Sequence, residues 1–434
     1  MKNLLLSLNT KLKTNPHIQK VISNSSWLLF DKFVRMGLGL LVSAWVARYL
    51  GPSQFGELAY VLAYLAFFQA ISTLGMDGII VRDIAKDKSS ANEILGTAFT
   101  LRAITGITCW FLAVCGMAFL NGWNDRSVYI TALAGATLVF QAADTVDLWF
   151  QSQSQNKRTV AVKLSAYIFS NGIKVILILS KAPLLAFAAV ATLETFAIAS
   201  GLFYAYKKYP CEQPWRKLKQ KAVALLYESW PFMISGLSIV LYMRVDQLMI
   251  KNYLGEAELG IYAAVLPLAT LWQFVPMTLS VSLAPMVAQS KIKGNDHYYR
   301  TLSYIFRIFA VLGWLVCIPI SILSYFIINL LFGNAYLPGA NALSIIIFTN
   351  LFINMGVAQS LWIINEKKSK LSLYKTIAGA IVCIVANLIL IPIYGIIGSA
   401  ISAVLAQAVS AVISNIFLSR KILKLQIKSL FLMK

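Results

Sequence analysis

Long apolar runs alternate with short polar segments along the whole chain. A helix needs roughly 20 predominantly apolar residues to cross a bilayer. Twelve runs reach that length, and the connections between them are too short for a large extramembrane domain. The pattern therefore predicts an all-α integral membrane protein with twelve transmembrane helices, over residues 24–47, 55–75, 94–120, 127–150, 159–180, 184–206, 229–251, 259–290, 301–328, 341–364, 373–391 and 398–418.

The composition supports this interpretation. Of 434 residues, 59% are apolar and 13% are charged, whereas soluble domains average about 45–50% and about 25%. A soluble enzyme, a disordered chain and a secreted disulfide scaffold are excluded, because none of them could accommodate so many apolar residues. The five cysteines are scattered without metal-binding or redox spacing, so they are expected to be small core residues.

The net charge of +21 is explained by membrane topology. If the N-terminus is cytoplasmic, 28 of the 38 Lys and Arg residues fall in cytoplasmic segments, and the outer connections hold only four. Basic residues concentrate on the cytoplasmic side of membrane proteins. We therefore expect both termini to be cytoplasmic and no nucleic-acid partner. The cytoplasmic segments are 1–23, 76–93, 151–163, 207–222, 290–300, 365–375 and 419–434.

An internal repeat divides the chain into two halves. The pattern YLG-x-x-x-x-G occurs at Tyr49–Gly56 and again at Tyr253–Gly260, each time between the first two apolar runs of a half. Six spans per half give both halves the same orientation, as in transporters built from parallel repeats; a generic interfacial turn is the alternative explanation of the motif. The predicted organisation is a cytoplasmic segment 1–23, a six-helix lobe 24–206, a basic linker 207–228, a second six-helix lobe 229–418 and a basic cytoplasmic tail 419–434.

Basic residues inside the apolar runs are candidate substrate contacts. A charge at the bilayer centre costs on the order of 3 kcal/mol, so such groups usually face a cavity or a partner. A cavity lined by cations favours an anionic passenger. Arg102 and Arg307 lie nearer the cytoplasmic ends, where snorkelling is an alternative. Arg244 and Asp246 lie two residues apart and cannot share one helix face. The candidates are Arg35, Lys174, Arg244, Arg102 and Arg307.

Acidic residues inside the runs are candidates for coupling transport to a proton or a sodium ion. Asp31 lies four residues before Arg35, so the two could instead form a structural pair. Asp144 and Asp147 are three apart on one face, where a shared proton is conceivable; an interfacial position for Asp147 is the alternative. No metal or cofactor site is expected. The coupling candidates are Asp31, Glu194, Asp246 and Asp144.

Four stretches carry a family resemblance. On these residues the chain resembles the polysaccharide-unit (O-antigen type) flippases of the multidrug/oligosaccharidyl-lipid/polysaccharide exporter superfamily. The resemblance extends over both halves. The stretches are Val46–Gly56, Leu74–Gly78 followed by Arg82–Ala85, Leu148–Gln151, and Val245–Ile250 leading into Tyr253–Gly255 and Gly260–Tyr262.

This resemblance implies a fold and an activity. The fold is two six-helix lobes of the multidrug and toxic compound extrusion (MATE) type that work by alternating access. The activity is movement of an undecaprenyl-pyrophosphate-linked oligosaccharide from the cytoplasmic to the outer leaflet of the bacterial inner membrane. The intramembrane cations would then meet the pyrophosphate, and membrane lipid and polysaccharide assembly proteins would be partners. No covalent chemistry is implied, so the chain is expected not to be an enzyme.

Three alternatives remain open. An ion-coupled drug or cation antiporter of the same fold should favour acidic charge in its cavity. A peptidoglycan-precursor flippase often has helices beyond twelve. A membrane polysaccharide polymerase would need catalytic residues in a substantial outer loop, yet the longest outer connection, about 329–340, contains no carboxylate, Lys, Arg or His.

Overall fold

The chain is helical throughout the part that the structure describes. A computed structural model describes the backbone of residues 16–211 and 213–432, with side chains from Val34 onward, residue 369 apart. Every regular element in these ranges is a helix. Within them, nine helices are long and apolar enough to cross a membrane. The prediction of an all-α integral membrane fold is confirmed.

The helices form two compact units. The first unit contains the described residues up to Val42 together with Val61–Leu241. Its core lies around Met76, Ile80 and Leu95. Its helices are α1 (Pro16–Ser72, which also enters the second unit), α2 (Asp77–Lys86), α3 (Ala91–Asn121), α4 (Arg126–Gly135), α5 (Thr137–Phe140), α6 (Asp144–Ser152), α7 (Asn156–Leu179), α8 (Leu184–Lys208) and the first part of α9 (Lys219–Leu254).

The second unit contains Ser43–Tyr60 and the chain from Tyr242 onward. Its core includes the buried residues Phe306, Phe309 and Met355. Its remaining helices are α10 (Glu256–Thr270), α11 (Phe274–Ile292), α12 (Asn295–Phe332), α13 (Gly339–Ile346), α14 (Thr349–Asn365), α15 (Ser369–Ala408), α16 (Asn415–Leu418) and α17 (Arg420–Leu430), with one π-helical stretch at Val409–Ile413.

Glycines join some of the predicted spans and short turns divide others. Helix α1 carries the first two apolar runs and α15 joins the last two, each with non-helical backbone at one glycine, Gly51 (φ 73°) and Gly395 (φ 61°). A residue with no Cβ adopts positive φ without strain, so the chain turns there within a continuous element. Conversely, the run 127–150 is divided into α4, α5 and α6. The count of twelve spans stays a prediction.

The fourth run of each half is interrupted in the same way. The Thr137 hydroxyl donates to the Ala134 carbonyl (2.8 Å) between α4 and α5. The Thr349 hydroxyl donates to the Ile346 carbonyl (2.7 Å) between α13 and α14. Such side-chain bonds satisfy backbone carbonyls that lose their helical partners. The matching interruptions add a second correspondence to the internal repeat.

The two copies of the repeated motif pack against each other inside the second unit. The first glycine of each copy, Gly51 and Gly255, has positive φ, and the second, Gly56 and Gly260, lies at a close helix contact. A Cβ on Gly56 would overlap the Glu256 carbonyl, and a Cβ on Gly260 would overlap the Pro52 carbonyl. The motif is therefore a reciprocal packing contact rather than a generic interfacial turn.

Polar contacts also hold Ser43–Tyr60 in the second unit. The Arg48 guanidinium donates to the carbonyls of Asn329 (3.0 Å) and Leu330 (2.6 Å) in the last turn of α12. A cation there satisfies carbonyls that a helix end leaves without partners. The buried Tyr336 hydroxyl donates to the Ala47 carbonyl (2.7 Å). This part of the predicted lobe 24–206 thus packs with residues of the second half of the chain, and the lobe boundaries stay a prediction.

Candidate functional site

A stripe of polar residues runs along helix α7 in the first unit. Lys163, Tyr167, Ser170 and Lys174 are spaced four, three and four residues apart, which places them on one helix face. The α7 polar face, as we call these four residues, contacts predicted site residues on α1, α6 and α8. It is the candidate functional site of the first unit.

Lys163 bridges the two carboxylates of α6. Its ammonium lies 3.1 Å from Asp144 Oδ1 and 2.8 Å from Asp147 Oδ2. The Gln151 amide also donates to Asp147 (3.0 Å). Asp147 is buried rather than interfacial. The positive charge of this ammonium compensates the negative charges of both carboxylates. The spacing of Asp144 and Asp147 had suggested that a shared proton would do this.

Tyr167 connects α7 to Arg35 on α1. The Arg35 guanidinium lies 4.8 Å from the centre of the Tyr167 ring, within the range of a cation–π interaction. The Tyr167 hydroxyl donates to the Arg35 carbonyl (3.0 Å). Gly39 lets the helices approach, because a Cβ there would overlap that hydroxyl. Arg35 is therefore held against the α7 polar face.

Ser170 and Lys174 meet Glu194 on α8. The Ser170 hydroxyl donates to Glu194 Oε2 (2.6 Å), and Lys174 interacts electrostatically with the same carboxylate. Each of these charged side chains is half-buried. The α7 polar face thus brings four predicted residues into one unit, Arg35, Lys174, Glu194 and Asp144, and sets acids beside two of its cations.

Two small cavities lie beside Asp144 at the interrupted helix. The first has a volume of about 40 Å³ and is lined by Asp77, Arg102, Gln141 and Asp144, among others. The second, of about 90 Å³, shares Gln141 and Asp144 with it and also reaches Thr195. Spaces of this size with several polar partners can hold water. Asp144 lines both cavities and also contacts Lys163, so it joins the cavities to the α7 polar face.

Arg102 is buried in the first unit rather than snorkelling to an interface. Its side chain is only 4% exposed and forms an ion pair with Asp77 at the start of α2. Its guanidinium also donates to the Thr73 carbonyl (3.2 Å). These contacts give Arg102 a structural role beside the first cavity.

The stretch Leu74–Ala85, which carried part of the family resemblance, anchors α2 to α9. Gly75 has positive φ, and a Cβ there would lie 2.5 Å from the Met233 backbone nitrogen. The Arg82 guanidinium contacts both carboxylate oxygens of Glu228, at 2.5 and 2.9 Å. The motif is explained by a close backbone approach and a bidentate ion pair.

Three other predicted site residues, Arg244, Asp246 and Arg307, belong to the second unit. Arg244 is exposed and Asp246 is buried, in keeping with their two-residue spacing. Asp246 accepts hydrogen bonds from the Tyr262 hydroxyl and from the backbone N–H of Gln247, both at 2.8 Å. Arg307 is half-buried on α12. The side chain of Asp31 lies outside the described residues.

Two lysines assigned to loops in the sequence analysis are internal. Lys163 belongs to the α7 polar face. Lys375 is buried and donates to Gln359, which shares a buried amide network with Asn415 and Gln426. The four-, three- and four-residue spacing of polar residues along α7 could have indicated that Lys163 is internal. No comparable spacing surrounds Lys375. Among the described residues, no group of three or more His, Cys, Asp or Glu side chains could hold a metal ion.

Lys163→Met is expected to destabilise the protein by about 1–3 kcal/mol, because it leaves two neighbouring carboxylates without their cation. The effect should be below that of breaking a fully buried ion pair, since Lys163 and Asp144 are partly exposed. Thermal denaturation of the purified protein measures it. Asp147→Asn in the same chain should restore part of the loss, and Lys207→Met, at an exposed position, should have little effect. Unchanged stability of Lys163→Met would contradict the bridging role.

The fold and site define a class: a multi-pass helical membrane protein with the fold of MATE transporters and of the flippase MurJ. "Lipid II flippase MurJ, inward closed conformation" has a TM-score of 0.73 at 13% identity and covers 94% of this chain and 91% of that one. "Inward-facing conformation of a multidrug resistance MATE family transporter of the MOP superfamily" has a TM-score of 0.69 at 15% identity, covering 91% and 96%.

The chain belongs to the polysaccharide biosynthesis protein family, whose model matches residues 21–291; a second model, MatE, matches residues 231–389. It is 22% identical to the "Putative O-antigen transporter" of Shigella dysenteriae, over 85% of this chain and 92% of that one. It is also 22% identical to the "Capsular polysaccharide biosynthesis protein CapF" of Staphylococcus aureus, over 92% and 100%. The family resemblance found in the sequence is confirmed.

Proposed function

We propose that this protein is a flippase that moves a lipid-linked polysaccharide unit across the membrane. The observation that carries the proposal is family membership, together with near full-length similarity to a relative named as an O-antigen transporter. A fold shared with a lipid II flippase supports it. Movement of a lipid head group breaks no covalent bond, so this function requires no catalytic residues.

In this proposal the passenger is an undecaprenyl-pyrophosphate-linked oligosaccharide, and the α7 polar face is a contact for its pyrophosphate. Lys163 already holds two carboxylates, which occupy positions that phosphate oxygens could take, and Lys174 interacts electrostatically with Glu194. Charge-assisted bonds to phosphate resemble those to carboxylate in geometry. Arg35 and Arg102 in this unit, and Arg244 and Arg307 in the second unit, are further proposed contacts.

Coupling to a proton or a sodium ion completes this scheme. Neutralising Asp144 or Asp147 by a proton, or screening them by a sodium ion, would release Lys163 toward an anionic passenger. Asp144 suits this role because it borders two polar cavities. Glu194 is the equivalent acid for Lys174. Asp31 and Asp246 are the remaining coupling candidates.

The proposed location is the bacterial inner membrane, with both termini cytoplasmic. The distribution of Lys and Arg between alternate connections supports this orientation. Movement would then run from the cytoplasmic to the outer leaflet, with contacts to membrane lipid and to polysaccharide assembly proteins.

An ion-coupled drug or cation antiporter is the second candidate. The carboxylates that contact the α7 polar face, those of Asp144, Asp147 and Glu194, favour it, since a cationic passenger requires negative charge in its site. The MatE match to the second half is also consistent with it.

A flipping assay tests the proposed function. Purified protein is reconstituted into vesicles with a labelled polyprenyl-pyrophosphate oligosaccharide, and an impermeant glycosidase reports the head groups that reach the opposite leaflet. We expect faster exposure than in protein-free vesicles. Lys174→Gln and Arg35→Gln should each slow it several-fold, whereas Lys428→Gln, at an exposed position on α17, should not.

Two outcomes would contradict the flippase proposal, and a third result tests proton coupling. No acceleration with the cognate sugar under an imposed ion gradient would exclude it. Gradient-driven export of a cationic dye under the same conditions would then establish the antiporter. Extension of the glycan would show an enzyme instead. If collapsing the proton gradient leaves flipping unchanged, proton coupling through Asp144 is excluded.

A further inference from the structure

A third charged cavity lies in the second unit, and it shares no lining residue with the two cavities beside Asp144. It has a volume of about 440 Å³ and lies at the junction of α11 and α12. Lys293, His297 and Arg300 line it, together with the Gln289 amide. All four side chains are exposed, and none of the ion pairs found within the described residues uses these three basic groups. The cavity is therefore rich in hydrogen-bond donors without a carboxylate that compensates them.

The position of the cavity sets it at a membrane face. Two helices that are long and apolar enough to cross a membrane, Glu256–Ile292 and Asn295–Phe332, meet there. Residues 290–300 belong to a connection that the distribution of Lys and Arg predicts to be cytoplasmic. A basic cavity between span ends on that side is positioned for lipid phosphate groups.

The cavity is polar at one end and apolar at the other. Lys293 and His297 lie at the connection between the two helices. Tyr304 lies seven residues after His297 on α12, which is about 10 Å further from the connection along the helix axis. Met286 lines the deeper end from α11. Tyr304 is 63% exposed and Met286 is 40% exposed. This order of basic rim, then aromatic and thioether wall, matches an amphiphile with an anionic head and an apolar tail.

We propose that this cavity binds the phosphate head group of an anionic membrane lipid, with Lys293, His297 and Arg300 on the phosphate and with Tyr304 and Met286 along the start of the lipid chain. Asp296 is near in sequence but does not line the cavity. The same chemistry has two sources in a bacterial membrane, an anionic phospholipid and a polyprenyl pyrophosphate. The proposal does not depend on flipping, since a lipid bound there could be bulk lipid.

Lipid titrations of the purified full-length protein, read by native mass spectrometry, test this site. The probes are phosphatidylglycerol, polyprenyl pyrophosphate, phosphatidylcholine and inorganic pyrophosphate. We expect the two anionic lipids to bind, and Lys293→Gln/Arg300→Gln to weaken their binding about tenfold or more, since each basic residue near a membrane surface contributes several-fold. Both residues are exposed, so the variant should fold. Tyr304→Ser should weaken both lipids without affecting inorganic pyrophosphate.

Lys424→Gln/Lys428→Gln is the matched control, because it removes the same charge from exposed positions on α17, on the side also predicted to be cytoplasmic. If this control loses as much lipid affinity as Lys293→Gln/Arg300→Gln, the effect is due to net charge and not to the cavity, and the proposal is overturned. Equally tight binding of phosphatidylcholine would overturn it too, as would complete displacement of lipid by equimolar inorganic pyrophosphate. If polyprenyl pyrophosphate binds more tightly than phosphatidylglycerol, the site is assigned to the carrier lipid. If the two lipids bind equally tightly, the site is assigned to bulk anionic lipid.

Discussion

Replacing Gly260 with alanine is expected to destabilise the protein by about 1–3 kcal/mol or more, the usual effect of forcing extra volume into a packed contact. The new Cβ would overlap the Pro52 carbonyl, which is backbone and cannot rotate away. The helix segments that carry the repeated motif would have to separate. The fraction of purified protein that stays monodisperse in size-exclusion chromatography after heating measures the loss.

Two further variants make this prediction specific. Gly236→Ala in α9 is the matched control, because no neighbouring atom lies within 4 Å of the position that its Cβ would take. Alanine has a higher helix propensity than glycine, so the stability of this variant should stay the same or rise. Gly56→Ala should destabilise as Gly260→Ala does, and the double variant should lose less than the sum, because both changes open the same contact. Additive losses, or a fully stable Gly260→Ala, would contradict the reciprocal contact.

Asp77→Ala is expected to destabilise the protein by about 2–3 kcal/mol, below the roughly 3–5 kcal/mol of breaking a fully buried ion pair, because water screens the exposed carboxylate of Asp77. The Arg102 side chain is 4% exposed, whereas that of Asp77 is 64% exposed. Removing the carboxylate therefore leaves a buried guanidinium uncompensated. Arg102→Met should be milder, because Asp77 is already exposed to solvent and the substitution leaves no buried charge. Thermal denaturation of both variants measures this asymmetry.

A matched control separates the ion pair from the helix-end effect. Asp77 lies in the first turn of α2, and Asp296 occupies the first turn of α12. Acids there stabilise a helix by about 0.3–1 kcal/mol. Asp296→Ala should lose only that amount, since Asp296 takes part in none of the ion pairs found in the described part of the chain. If Asp77→Ala and Asp296→Ala lose the same stability, an uncompensated buried charge on Arg102 is ruled out as the cause.

The sequence was sufficient for the helical membrane fold and for the internal repeat. Apolar run length reports the span directly, and the repeated YLG motif marked a real packing contact at Gly56 and Gly260. The helix interruptions at 136–143 and 347–348 were not predicted, because hydropathy averages over them and the run stays apolar. Glycine turns inside a continuous helix, as at Gly395, are equally invisible to hydropathy, which registers composition and not backbone conformation.

For the candidate site, residue type was predictable and partnership was not. Arg35, Lys174, Glu194 and Asp144 stood out as charges inside apolar runs, and the structure brings them to one face of α7. The compensation of Asp144 and Asp147 by Lys163 was missed, because Lys163 lies at the edge of its run and was counted with the loop. Which acid faces which cation depends on tertiary packing, and a single sequence does not encode it in spacing alone.

The course of α1 has a consequence for dissecting the molecule. Residues Ser43–Tyr60 belong by contact to the second unit, and several of their side chains, such as Ala44, Ala47 and Tyr60, are buried. A polypeptide starting at the 207–228 linker would lack the segment Ser43–Tyr60 of the second unit. The complementary fragment would keep that segment in its first helix, α1, without the residues on which the segment packs. The second half of the sequence therefore does not contain the whole of the second unit, and cutting the chain at the linker would not give two intact units.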